Sequence, residues 1–293
     1  RPYGRRQNRA WLLKNSVLKF LKLPFLRAVF YFYTMGNRPI GVFDSGVGGL
    51  SLLRELRSLL PNEDFIYISD NAYAPYGALS TVDIRKRSQA LTQWLCEQSC
   101  KLIVVACNTA TTNAIESLRK TYQIPFVGIE PAIKPAALQT KTGVVGVLAT
   151  KGTLSSGLFH ETATAYGQGV RILEKEGKHL VEMIESGMLQ SEEMEQLLQS
   201  YTQPMIEQGA DHLVLGCTHY PFLTPILNRT LPKHIKIVDC NGAVAKQVER
   251  VFNKKELGCE SQNLGSTTYF CTGDSQSMRQ FVSPENVIEL SIP

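Results

Sequence analysis

No two of the seven cysteines in this 293-residue chain stand in a C-x-x-C spacing. Their odd number (Cys96, Cys100, Cys107, Cys217, Cys240, Cys259, Cys271) and the chain's length exclude a disulfide-stapled scaffold and point to a reducing, cytoplasmic setting. The five histidines do not gather near Cys96, Cys100 and Cys107, so no metal site is expected there. Cys96 and Cys100 read instead as buried residues near a helix end. Long apolar runs are also missing. The stretch from Val17 to Tyr33 is broken by Lys19, Lys22, Pro24 and Arg27, which excludes a bilayer span, and no small-residue cleavage site follows before Met35. The glycine-rich segment 43–51, FDSGVGGLS, has no Walker lysine and carries Ser51 where a dinucleotide fingerprint needs its third glycine. Its backbone N–H groups can still hold a small anion.

Acidic residues are absent from residues 1–34, which hold eight basic ones; the rest of the chain has 23 basic against 26 acidic residues. The net charge of +5 therefore belongs to the front, and the main body is mildly acidic. Neither nucleic acid nor membrane is expected as a partner. A strand pattern begins directly after Met35, so residues 1–34 read as a basic N-terminal extension outside the fold, although an Arg-rich, acid-free targeting peptide has a similar composition.

What is present is a repeated alternation. Apolar, β-branched runs recur at 40–43, 65–69, 102–106, 126–129, 144–148, 213–216 and 235–238, most of them uninterrupted by polar residues, as in parallel strands covered on both faces. Helical patterns lie between them. One opens at Ser80, with Asp83 completing a capping box, and another runs from about Ser191 to Gln208, with Pro204 predicting a kink and Gly209 a stop. This predicts an α/β fold of two similar α/β domains with mainly parallel sheets and an active site in the cleft between them. The expected divisions are 35–130 plus 239–293 for the first domain and 131–238 for the second.

Two strands end alike: LIVVACNT at 102–109 and LVLGCTHY at 213–220 each run into a cysteine followed by small polar residues. A cysteine there lies close to a helix N-terminus, whose free N–H groups and dipole favour a thiolate, so a lowered pKa is expected for both. Opposed across a cleft, two such groups suit inversion at carbon, one removing a proton from one face while the other delivers one to the opposite face. A redox couple is disfavoured by the separation in sequence. A hydrolase using one cysteine with His219 as base leaves the second cysteine without a role.

The blocks GVFDSGVGGLS (41–51), SDNAYAPYG (69–77), ACNTAT (106–111), GIEPAIKPA (128–136) and LGCTHYP (215–221), in this order, resemble the glutamate racemase family from Gly36 to the C-terminus. The resemblance implies cofactor-independent interconversion of L- and D-glutamate, with the D-isomer used in peptidoglycan. It implies Cys107 as the base acting on D-glutamate and Cys217 as the base acting on L-glutamate. Asp44 and His219 are implied to assist them, with Asp70 and Glu185 in support. Substrate is implied to be held by Asp44, Ser45, Tyr76, Gly77, Asn108, Thr109, Thr153, Thr218 and His219. The implied partner is glutamate, and a homodimer is left open by the sequence. The chain departs from the family pattern at Cys240, where many members carry serine. The readings that compete are racemisation of aspartate or another small acid by the same device, and a glutamate-binding regulatory protein without turnover.

Overall fold

The computed structural model describes residues 38–258, 263–283 and 286–292. The predicted extension 1–34 and Cys259 lie outside the described residues. In chain order the strands are β1 (Ile40–Asp44), β2 (Phe65–Ser69), β3 (Leu102–Val105), β4 (Phe126–Gly128), β5 (Val144–Ala149), β6 (Arg171–Glu176), β7 (His212–Gly216), β8 (Lys236–Val238), β9 (Thr267–Thr272) and β10 (Val287–Leu290). The helices between them are α1 (Leu50–Leu59), α2 (Thr81–Glu97), α3 (Asn108–Thr121), α4 (Ile133–Gln139), α5 (Lys151–Leu154), α6 (Gly157–Tyr166), α7 (Leu180–Glu185), α8 (Glu192–Glu207), α9 (Thr224–Thr230) and α10 (Asn241–Lys254).

Among the described residues the strands form two sheets, in the orders β10-β9-β2-β1-β3-β4 and β6-β5-β7-β8. Every pairing is parallel. The strands predicted from apolar runs are all present, and the segment after Asp239 returns β9 and β10 to the first sheet. Three strands lie outside the apolar runs picked out from the sequence: β6, β9 and β10. β6 (RILEKE) and β10 (VIEL) are sheet edges, half open to water, so polar residues are tolerated along them. β9 (TTYFCT) is mostly half-buried even though it lies between β2 and β10.

Local signals place the helices. Ser80 caps α2 by accepting the Asp83 N–H, and Ser191 caps α8 by accepting the Met194 N–H ahead of three first-turn glutamates that suit the helix dipole. α8 continues through Pro204 to Glu207, and Gly209 follows in the left-handed region, φ +91°, which turns the chain out of the helix. α1 buries Leu50, Leu52, Leu53 and Leu56 against the first sheet, each worth about 1.5–3 kcal/mol of removed apolar surface. Cys100 is buried as expected, whereas Cys96 is only half-buried on the last turn of α2.

The connection between the sheets is anchored by Asp211. Its carboxylate accepts the Thr140 hydroxyl at 2.6 Å, the N–H groups of Lys141 and Thr142 at 2.7 and 3.2 Å, and a contact with His212 Nδ1 at 2.7 Å. Burial acts to raise its pKa, but those four partners outweigh it and hold the carboxyl well below the usual range.

Each sheet has a switch point, where strand order reverses beside β1 in the first and between β5 and β7 in the second. Parallel sheets bind ligands at the carboxyl ends of the strands there. Asp44 ends β1, Cys107 follows β3, Thr150 follows β5 and Cys217 follows β7. Hydrogen bonds from Thr218 to Asp44 and between Thr109 and Thr150 bring the strand ends of the two sheets together.

Candidate active site

Cys107 is the N-cap of α3, and its Sγ accepts the Ala110 N–H at 3.4 Å. The thiol also reaches Ser45 Oγ at 3.6 Å, and only 4% of the residue is exposed. The expected lowering of its pKa is not found. Burial, then the negative charge of Asp44, pushes the thiol well above its ordinary value, outweighing the pull of the Ala110 N–H and Ser45. One helix terminus supplies less than a buried carboxylate neighbour removes. A charge on Cys217 pushes the Cys107 thiol further in the same direction.

On the other side, Cys217 Sγ lies 3.8 Å from His219 Nδ1, and His219 Nε2 donates to Glu185 Oε1 at 2.7 Å. Burial disfavours a charged imidazole here, but Cys217 and Glu185 outweigh it, and the His219 pKa is raised well above its ordinary value. For Glu185 burial is again the largest influence, and His219 with the Val47 N–H overcomes it to lower the carboxyl. A cationic imidazole thus faces Cys217 and can balance negative charge on it.

Asp44 stands between the two arms. Its Oδ2 accepts the Gly49 N–H at 2.7 Å, and the Thr218 hydroxyl lies 3.3 Å from both carboxylate oxygens. Burial raises its pKa, opposed by the charge of His219 and by hydrogen bonds that include Cys107. Asp44 thus holds the N–H of Gly49, the residue that precedes α1, while touching residues of both cysteine arms.

The glycines of the DSGVGG loop are explained by what presses on them. A Cβ on Gly46 would sit 2.0 Å from Glu185 Oε1, and one on Gly48 would sit 2.4 Å from His219 Nδ1 and 2.7 Å from the His219 backbone nitrogen. The loop lets residues of the second sheet's segments pack directly on first-sheet backbone. The anions its N–H groups hold are the protein's own: Val47 N–H donates to Glu185 Oε1 at 2.8 Å and Gly49 N–H to Asp44.

Between the arms, Thr109 Oγ1 meets Thr150 Oγ1 at 2.8 Å and Thr153 Oγ1 at 3.2 Å, with 3.1 Å between the latter two. Asn108 is 2% exposed, and neither its amide oxygen nor its amide nitrogen has a protein partner. Gly77 packs against Thr150, where a Cβ would sit 2.9 Å from Thr150 Cβ. Ser45, Tyr76, Thr153 and Thr218 are all buried around this space. Thr150 was not among the predicted site residues, and the signal for it was the third position before Thr153 in an N-cap after β5.

Asp70 is placed differently from the other acids. Its carboxylate takes a two-pronged contact from Arg87 at 2.9 and 3.1 Å, the Thr272 hydroxyl at 2.7 Å and the Tyr76 hydroxyl. Its hydrogen bonds go to none of the thiols; it holds Tyr76, whose phenol feels the charge of Cys107. Cys240 is buried, and burial followed by the charge of Asp239 pushes its thiol to about 12. Among the described residues no group of three or more His, Cys, Asp or Glu is placed to hold a metal ion. None of their helices is long and apolar enough to cross a membrane.

A family model for Asp/Glu/hydantoin racemases matches residues 40–248. Glutamate racemase of Ectopseudomonas mendocina is 48% identical over 242 residues, covering 82% of this chain and 92% of that one. The glutamate racemase of Pseudomonas aeruginosa is 42% identical over 259 residues, covering 86% and 97%. Among solved structures, Escherichia coli glutamate racemase in complex with L-glutamate and the activator UDP-MurNAc-Ala superposes with a TM-score of 0.78 at 32% identity, covering 87% of this chain and 99% of that one. Francisella tularensis glutamate racemase in complex with D-glutamate gives 0.76 at 28% identity, covering 87% and 98%.

Proposed function

The chain belongs to the Asp/Glu/hydantoin racemase family, and from that premise we propose that it interconverts L- and D-glutamate by a two-base mechanism. The observation that supports this reading most is the pair of buried cysteines, which follow strands of different sheets and are linked through Asp44 and Thr218.

Cys217 as thiolate, balanced by the cationic His219, takes the α-proton of L-glutamate; Cys107, which burial and Asp44 keep protonated, gives its proton to the opposite face. The products are D-glutamate, a Cys217 thiol and a Cys107 thiolate, and the reverse reaction exchanges the roles. The α-proton of an amino acid is very weakly acidic, so charge passing onto the α-carboxylate must be met by hydrogen-bond donors. Asn108, with its unpartnered amide, and the hydroxyls of Thr109, Thr150, Thr153, Thr218 and Ser45 are those donors. Tyr76 and Gly77 close the wall, Tyr76 held by Asp70. The substrate ammonium beside Asp44 offsets the charge that raises Cys107, making its proton exchange easier in the complex.

The two domains are 35–130 with 239–293 and 131–238, each giving one cysteine to a single site, and the protein works as a homodimer. The D-isomer then supplies peptidoglycan synthesis, as the family resemblance implies. The test is an optical-rotation assay with purified protein on both glutamates and both aspartates. Both glutamates are expected to reach the same racemic end point, with aspartate turned over at least about a hundredfold more slowly, the scale of discrimination one methylene gives. Equal or faster aspartate turnover refutes the substrate assignment.

A further inference from the structure

Two peptide groups of the loop after β1 are gripped on both sides. The carbonyl of Gly46 and the N–H of Val47 belong to one peptide plane: the carbonyl accepts the Tyr67 hydroxyl at 2.7 Å while the N–H donates to Glu185 Oε1 at 2.8 Å. The plane of Gly48 and Gly49 repeats the pattern. There the carbonyl accepts Ser51 Oγ at 2.8 Å, the N–H donates to Asp44 at 2.7 Å, and Asn241 Nδ2 donates to Ser51 at 3.1 Å. A peptide group is planar, so fixing its oxygen aims its N–H, and a hydrogen bond to the carbonyl also polarises the N–H beyond it.

Tyr67 is fully buried on β2, and its hydroxyl lies 3.0 Å from where a Cβ on Gly49 would stand, so the loop is seated directly on the phenol. Burial, followed by the charges of Asp44, Glu185, Cys107 and Cys271, pushes the phenol well above its ordinary pKa and keeps it a donor. We infer that Tyr67 is a positioning residue for the Cys217 arm: through the Gly46–Val47 peptide it aims one N–H at Glu185, which fixes His219 against Cys217. The effect on turnover rests on the racemase reading; the effect on the thiol does not.

The test removes one oxygen with Tyr67→Phe and compares it with Tyr269→Phe, which removes the hydroxyl at the same register position on the neighbouring strand β9. Iodoacetamide labelling of each cysteine is followed by peptide mass spectrometry near neutral pH, beside kcat and KM for both glutamates. Tyr67→Phe is expected to slow labelling of Cys217 and to lower kcat by about tenfold, the scale of one hydrogen bond, with KM and Cys107 labelling within about twofold of wild type. Tyr269→Phe is expected to change neither. Glu185→Gln, which tests the same connection from its far end, is expected to slow Cys217 labelling, and Tyr67→Phe added to it to slow it no further. The inference is overturned if Tyr67→Phe behaves as Tyr269→Phe does, if both cysteines change together as in a general loosening, or if Glu185→Gln leaves Cys217 labelling unchanged. Wild-type protein that fails to racemise glutamate refutes the function proposed above, while the Cys217 labelling still decides the role of Tyr67.

Discussion

At the scale of single residues, the site depends on side chains that are missing as much as on those present. Gly48 has to be small because the backbone nitrogen of His219 would lie 2.7 Å from a Cβ there, and backbone cannot step aside as a flexible side-chain tip can. Gly48→Ala is therefore expected to lower kcat at least about tenfold and to cost about 1–3 kcal/mol of stability, as overpacking does. Gly242→Ala, where nothing lies within 4 Å, is the control, and kinetics with thermal melts on both variants checks the pair. The position of the cysteines, Asp44 and His219 at strand ends was legible in the sequence because each ends or follows an apolar run, and strand ends are where α/β sheets place their chemistry. Thr150 and Tyr67 were not legible. Thr150 bonds to neighbours 41 and 3 residues away, and Tyr67 sits inside an apolar strand, where an aromatic residue reads as core. The direction of the Cys107 pKa was misread for a related reason: it is set first by burial and then by Asp44, 63 residues earlier in the chain, which together outweigh the helix terminus.

At the scale of elements, α7 is tied to the loop after β1 by Glu185, which accepts both Val47 N–H and His219. This tie has a definite pH window. The folded pKa of Glu185 lies below its ordinary 4.5, so its contribution to stability is complete above that value and is lost as pH falls through the folded pKa. The folded pKa of His219 lies above its ordinary 6.5, so its contribution is complete below that value and is lost as pH rises through the folded pKa. Both are complete between 4.5 and 6.5. Thermal melts across pH are expected to show the largest gap between wild type and Glu185→Gln inside that window, narrowing on both sides. A gap independent of pH would contradict the tie. The central strands were legible because strands covered on both faces must be apolar throughout; β6 and β10 escaped because an edge strand is under no such demand.

At the scale of the whole molecule, two parallel sheets turn their switch points toward one another, and the chain contacts them through a glycine loop, a threonine cluster and Asp44. The mirrored strand ends in the sequence belong to β3 and β7, 110 residues apart at their cysteines, and the function proposed above needs them to reach the substrate from opposite sides. Such an arrangement has one direct kinetic signature, because a proton removed on one side is not the proton delivered on the other. The decisive measurement is to start with L-glutamate in deuterated water, stop at a few per cent conversion, and read deuterium at Cα separately in the two isomers. Opposed thiols predict D-glutamate that is fully labelled and residual L-glutamate that is unlabelled. Label spread equally through both isomers, or D-glutamate that keeps its original hydrogen, would contradict the account.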